Sequence, residues 1–128
     1  MFFKIYAIAF IIFLAIDMVW LGFVAKKIYA QYLGSFMAAN VKWIAAIIFY
    51  LLFIVGLTFF VIQPALLKDS WSYALLAGFL FGLITYATYD LTNLATLSNW
   101  PITITIIDLI WGTTLGGVVS VLTFLLVR

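Results

Sequence analysis

Three of the four acidic residues in this 128-residue chain, Asp17, Asp90 and Asp108, fall inside long apolar stretches. An Asp at the centre of a membrane helix costs about 2.5–3.5 kcal/mol on insertion scales, so such a residue needs a compensating reason. Carboxylates at that depth are typical of sites that bind a proton, a cation or a ligand. The fourth acid, Asp69, lies beside Lys68 in a short polar break. The three aspartates in apolar stretches therefore form the candidate site.

The composition excludes several kinds of chemistry. The chain is 69% hydrophobic and 8% charged, with a mean hydropathy of +1.34, which is typical of a helical membrane protein. It contains no Cys and no His, which excludes thiolate zinc sites, His-ligated haem and His-based catalysis, and we predict no cofactor. The remaining metal hypothesis is that Asp17, Asp90 and Asp108 bind Mg²⁺ or another hard cation. A net charge of +2 does not favour nucleic acid as a partner.

Four apolar stretches are long enough to cross a bilayer, which needs about 20 residues per helix. They predict an all-α bundle of four transmembrane helices in a single domain, residues 1–128, with spans at about 3–24, 41–62, 71–97 and 101–127. Apolar residues at helical spacing within 25–40 predict a short amphipathic helix at the membrane interface between the first two spans. Lys and Arg are balanced, three against three, on the two sides, so charge leaves the orientation undetermined.

This topology places the three aspartates at one depth. In four antiparallel spans, each aspartate lies seven to nine residues from a helix end on the same side of the membrane. At about 1.5 Å per residue, all three should lie roughly 10–14 Å below that surface. Small residues at four-residue spacing on the same faces, Gly78 and Gly82 in the third span and Gly112 in the fourth, should let the helices approach closely.

Other side chains are predicted to form the walls of this site, because they lie at the same depth: Asn93, Tyr50, Tyr86, Trp20 and Trp111. Trp20 and Trp111 each follow an aspartate by three residues, which gives the same Asp-x-x-Trp pair on two helices. The tryptophans at span ends, including Trp100, are instead typical of an aromatic interface belt. The alternative to a functional site is a structural one, in which Asp and Asn side chains form hydrogen bonds between helices.

Four strings stand out along the chain: DMVWLG from Asp17, YATYDLTNLAT from Tyr86, WP from Trp100 and DLIWGT from Asp108. In these strings the sequence resembles a family of small bacterial membrane proteins classed as a domain of unknown function. The resemblance covers essentially the whole chain. It implies four transmembrane helices in a bacterial inner membrane, and it implies no activity.

Three functions from different classes stay open. The first is a transporter-type protein whose aspartate site binds a small ligand, a proton or a cation; so short a chain would need a homodimer to enclose a path. The second is a membrane enzyme that acts on a lipid or a quinone. The third is a non-catalytic accessory protein that binds a lipid head group or a partner helix. The lipid bilayer is a partner in all three.

Overall fold

The computed structural model describes residues 1–34 and 42–128. Four helices, each long and apolar enough to cross a membrane, make up nearly all of these residues: α1 (Phe2–Leu33), α2 (Trp43–Lys68), α3 (Trp71–Thr96) and α4 (Ile102–Val127). No strand occurs among the described residues. The predicted all-α, four-transmembrane-helix architecture is confirmed.

The first helix is longer than the predicted span, because the segment Lys26–Leu33 continues it. A π-helical segment, Trp20–Ala25, joins the two parts, and the backbone stays right-handed helical at both of its ends. The short helix predicted after the first span is therefore present as an extension of α1 rather than as a separate element. The rest of the predicted segment, residues 35–41, lies outside the described residues.

The second helix also extends past its predicted end at Gln63-Pro64 and reaches Lys68. A π-helical segment, Thr58–Ile62, precedes Pro64, which stands in the first turn of the following α-helical part. Proline is tolerated in the first turn of an α-helix because the N–H that it lacks would have no hydrogen-bond acceptor within that helix. The change of helical period thus explains why this proline does not end the span.

The closest helix pair among the described residues is α3 with α4. The predicted stripe of small residues in α3, from Ala74 through Gly78 to Gly82, is buried. A Cβ atom at Gly78 would lie 2.6 Å from the carbonyl oxygen of Gly116 in α4, so the two backbones are in direct contact. The stripe is used within one chain, and a homodimer would need a different surface.

The bundle has a tightly packed half and a looser half. In the packed half, the apolar side chains of Phe13, Ile54, Leu57, Leu115 and Val119 are at most 1% exposed. The backbone of α2 over Trp43–Leu57, of which only the end is in the packed half, runs close mainly to α1, whereas the following π-helical segment contacts α1, α3 and α4. The helices therefore separate toward the end of the bundle where the predicted aspartate layer lies.

Candidate functional site

The three aspartates lie on three different helices and line one cavity of about 680 Å³. Asp17, Asp90 and Asp108 are 5%, 0% and 6% exposed. Asp17 continues the buried stripe of α1 in which every fourth residue faces inward, and Asp90 lies eight residues beyond Gly82 on the stripe of α3. The same spacing that packs the helices therefore turns the carboxylates into the cavity.

Asp90 and Asp108 face each other from α3 and α4. The Asp108 carboxylate accepts a hydrogen bond from the hydroxyl of Tyr29, which lies on the extension of α1. Among the described residues, neither carboxyl oxygen of the fully buried Asp90 makes a hydrogen bond of normal geometry, although the Asp108 carboxyl group lies within reach of it. A buried carboxyl group normally has hydrogen-bond partners, because removing it from water without them is costly. Asp90 thus has the carboxyl group of Asp108 as its polar neighbour and makes no hydrogen bond of normal geometry with the described residues.

Asp17 stands apart from this pair, next to a different set of side chains. The hydroxyl of Tyr50 and the indole N–H of Trp111 lie beside its carboxylate, although the indole nitrogen makes no hydrogen bond of normal geometry. The rings of Trp20 and Trp111 stack with centroids 4.4 Å apart and planes inclined by 9°. The two Asp-x-x-Trp pairs therefore meet through their tryptophans, with α1 and α4 on opposite sides of the stack.

The remaining predicted wall residues are divided between the cavity and its edge. Tyr86 lines the cavity, as do Tyr50, Trp20 and Trp111. Asn93 is partly buried and is not among the residues that line the cavity. Its side chain lies near the hydroxyl of Tyr89, which precedes it by one turn of α3. Four of the five predicted wall residues therefore face the cavity.

The cavity is acidic and aromatic. No Lys or Arg is among its lining residues in the described chain, and the nearest cations in sequence, Lys26, Lys27 and Lys42, are exposed. Eight of the lining side chains are aromatic: Trp20, Tyr29, Phe49, Tyr50, Tyr86, Tyr89, Trp100 and Trp111. Within residues 1–34 and 42–128, no three acidic side chains are grouped closely enough to bind one metal ion. The lining therefore provides negative charge and aromatic surface together.

The cavity reaches the lipid-facing surface between α2 and α3. Phe49 on α2 and Tyr89 on α3 both line the cavity, yet they are 41% and 58% exposed. The ring of Phe49 meets that of Tyr86 edge-on, with centroids 6.4 Å apart. The exposed rings of Phe49 and Tyr89 therefore mark the edge of the cavity that lies nearest the outer surface of the described helices.

Comparison with known proteins supports the membrane class. Residues 2–125 match the model of a family described as "Predicted membrane protein (DUF2177)". The chain belongs to this family. No curated protein and no solved structure matches it.

The description of DUF2177 agrees with the four membrane-spanning helices and states no activity. The match covers all three aspartates and every cavity-lining residue. In this DUF2177 member, the chemistry of the site therefore depends on the cavity-lining residues described above.

Tyr29 lines the cavity, although a regular α-helical period does not predict this position for it. On a straight α-helix, twelve residues at about 100° each would place Tyr29 roughly 120° away from Asp17. The six residues of the π-helical segment turn by only about 82° each, because π-helices have about 4.4 residues per turn. The total is then roughly three full turns, so Tyr29 returns to the face of Asp17. Only knowledge of the π-helical segment could have revealed this.

The position of Trp100 at the end of a span predicts a residue of the interface belt, and the structure corrects this prediction. Its side chain is 8% exposed, lines the cavity and donates a hydrogen bond from Nε1 to the Thr105 hydroxyl at 3.0 Å. Its ring also meets that of Tyr89 edge-on, with centroids 5.8 Å apart. By contrast, Trp43 and Trp71 are 58% and 56% exposed, as belt residues should be. The short connection between α3 and α4 folds Trp100 inward.

Tyr29→Phe is expected to lower the free energy of unfolding by about 1–2 kcal/mol, because Asp108 loses its hydrogen-bond donor in a region with little water. Titration of the reconstituted protein with denaturing detergent would measure the change. Tyr32→Phe is the matched control, since Tyr32 lies on the same extension of α1 and is 38% exposed. Equal stability of the two variants would show that the Tyr29–Asp108 bond does not hold the site together.

Proposed function

We propose that this protein is a transporter-type membrane protein of a bacterial inner membrane, whose aspartate cavity binds a small cationic ligand, a cation or a proton. The observation that carries the proposal is Asp90: it is fully buried, lines the cavity opposite Asp108 and has two carboxyl oxygens that make no hydrogen bond of normal geometry within the described residues. A membrane carboxylate in this condition favours binding of a positive charge. The bacterial inner membrane is part of this proposal because the motifs of the sequence resemble those of a family of small bacterial membrane proteins.

The position of the cavity along the bundle supports transport rather than binding alone. Its lining comes from one half of the bundle, including residues 45–50 of α2 and 85–90 of α3. The other half is closed by apolar side chains and by the contact of the α3 and α4 backbones. A binding site that is closed toward one side of the membrane by a packed apolar layer agrees with alternating access.

The enzyme alternative has less support from the cavity. A phospholipid or other phosphate-bearing substrate would bring negative charge to two facing carboxylates, and the described lining contains no Lys or Arg to bind it. A metal-assisted reaction would need a set of ligands that the described acidic residues do not form. A non-catalytic accessory protein would bind the ligand without moving it across the membrane. The transport experiment described next distinguishes this function from transport.

Asp108→Asn is expected to reduce transport to roughly one tenth or less, because a neutral amide cannot balance a positive charge in a low-dielectric site. Proteoliposomes on a solid-supported membrane would be exposed to Na⁺, K⁺, Mg²⁺, a step in pH and organic ammonium ions, with charge movement as the readout. Asp69→Asn is the control, because Asp69 is exposed in the turn between α2 and α3. Absence of any current that depends on Asp108 would overturn the proposal.

A further inference from the structure

Charge, size and access together define the class of ligand that fits the cavity. The charge is the first restriction: Asp90 and Asp108 face each other, Asp17 lines the same space, and the described lining has no cationic side chain. Two carboxylates opposed in this way repel an anion and are stabilised by a cation between or beside them. The ligand should therefore carry positive charge.

The size and surface of the cavity favour an organic cation over a metal ion. About 680 Å³ is within the range of sites for small organic molecules, roughly 300–1,000 Å³, and far exceeds the space of a single ion. Half of the sixteen lining residues are aromatic, including the stacked pair Trp20 and Trp111. Aromatic faces attract alkylated ammonium groups, and aromatic cages are a common way of binding them. A hard metal ion would instead need several oxygen ligands grouped around one point.

The route into the cavity favours a ligand with an apolar part. An opening between α2 and α3 would be bordered by Phe49 and Tyr89, which line the cavity and are exposed on the outer surface of the described helices. A hydrophilic ion would have to lose its hydration before reaching this opening, at a large cost. An ammonium ion with an apolar body would partition into the bilayer and enter sideways.

We propose that the ligand of this cavity is an organic ammonium ion with an apolar body, whose cationic group binds between Asp90 and Asp108 while the surrounding rings enclose its apolar part. This proposal rests on the proposed function, since it names the ligand class of the same site. The ammonium group could belong to a free small molecule or to the head group of a lipid, because both offer the same chemistry to the carboxylates and rings.

The experiment measures binding to the full chain in nanodiscs of phosphatidylglycerol, which carries no ammonium group. Tryptophan fluorescence would be titrated with benzyltrimethylammonium, with its uncharged carbon analogue neopentylbenzene, and with benzylsulfonate. The cation is expected to bind at least roughly tenfold more tightly than either comparison ligand. Equal affinities, or tighter binding of the sulfonate, would overturn the proposal.

A variant separates the aromatic contribution from simple charge attraction to the membrane. Trp111→Leu should weaken binding of the cation by about tenfold and leave the affinity for neopentylbenzene nearly unchanged, because the substitution removes a ring but keeps an apolar side chain. Trp43→Leu, at a 58% exposed position outside the cavity, should change neither affinity. An equal loss for both ligands in Trp111→Leu would contradict a cation held by aromatic faces. Circular dichroism and elution volume would confirm that both variants fold.

Changing the lipid identifies the source of the ammonium group. The comparison uses nanodiscs of matched surface charge. If phosphatidylcholine in them weakens binding of benzyltrimethylammonium, the choline head group competes for the site; if it does not, a free ammonium ion is favoured over this head group. Either result supports the ammonium site.

The transport experiment distinguishes the two proposals from each other. A current that depends on Asp108 with Na⁺, K⁺, Mg²⁺ or protons, but never with benzyltrimethylammonium, would refute the ammonium proposal and leave the transporter function in place. Binding of benzyltrimethylammonium without any current would refute transport and leave the ligand class in place.

Discussion

Asp90→Asn should weaken binding of benzyltrimethylammonium by roughly 30- to 1,000-fold. The carboxyl group of Asp90 is fully buried, lines the cavity and makes no hydrogen bond with the described protein residues, so its charge is available for the ligand. Breaking a buried ion pair costs about 3–5 kcal/mol, and the remaining Asp108 should reduce this to about 2–4 kcal/mol. Fluorescence or calorimetric titration in nanodiscs would measure the change. Asp69→Asn, in the exposed turn, should bind the ligand normally.

The same variant separates a functional aspartate from a structural one. If Asp90 were a structural residue, Asn would weaken the contact between helices and lower the free energy of unfolding. Because Asp90 makes no hydrogen bond of normal geometry within the described residues and faces another carboxyl group, we expect Asp90→Asn to be as stable as the natural protein or more stable, since the amide avoids burying a carboxylate. Loss of stability together with normal binding would contradict the account.

Gly82→Ala should lower the free energy of unfolding by about 1–3 kcal/mol, the usual cost of inserting a methyl group into a tightly packed contact. A Cβ atom at this position would collide with the carbonyl group of Gly112, which belongs to the backbone of α4 and cannot rotate away. The helices would have to separate, which would also move Asp90 away from Asp108. Detergent-induced unfolding followed by far-ultraviolet circular dichroism would measure the loss.

Gly22→Ala is the matched control for this substitution. Gly22 lies in the π-helical segment of α1, and a Cβ atom there would have no neighbouring atom within 4 Å. Its stability should stay within about 0.5 kcal/mol of the natural protein. Equal losses for the two alanine variants would show that helix backbone effects, rather than the contact between α3 and α4, explain the result.

Sequence patterns predicted the elements that position the aspartates because those patterns come from regular geometry. Hydrophobic length predicted the four spans, and four-residue spacing of small residues predicted that Gly78, Gly82 and Asp90 face inward. Alternation of the spans predicted the common depth of Asp17, Asp90 and Asp108, which line one cavity. Each of these inferences needs only a constant helical period and a bilayer of fixed thickness.

The features that sequence reasoning missed arise where the helical period changes or the chain turns. Tyr29 reaches Asp108 only because the segment Trp20–Ala25 is π-helical, and hydropathy carries no mark of that change. Trp100 turns inward through its bond to Thr105, whereas its place at a span end resembles that of an interface residue. The exposure of Phe49 and Tyr89 at the edge of the cavity depends on the packing of α2 against α3, which no local pattern records.

The central claim is that the aspartates and aromatic rings form one binding site for a cation inside the membrane. Crystals grown with (4-bromobenzyl)trimethylammonium would test it most directly, because anomalous scattering locates the bromine atom without reference to the protein. We predict a bromine peak inside the cavity bordered by Trp20, Trp111 and Asp90, and no such peak in Asp90→Asn crystals. If the bromine peak is absent from the cavity at a saturating ligand concentration, or lies only on the lipid-facing surface, the result would contradict the account.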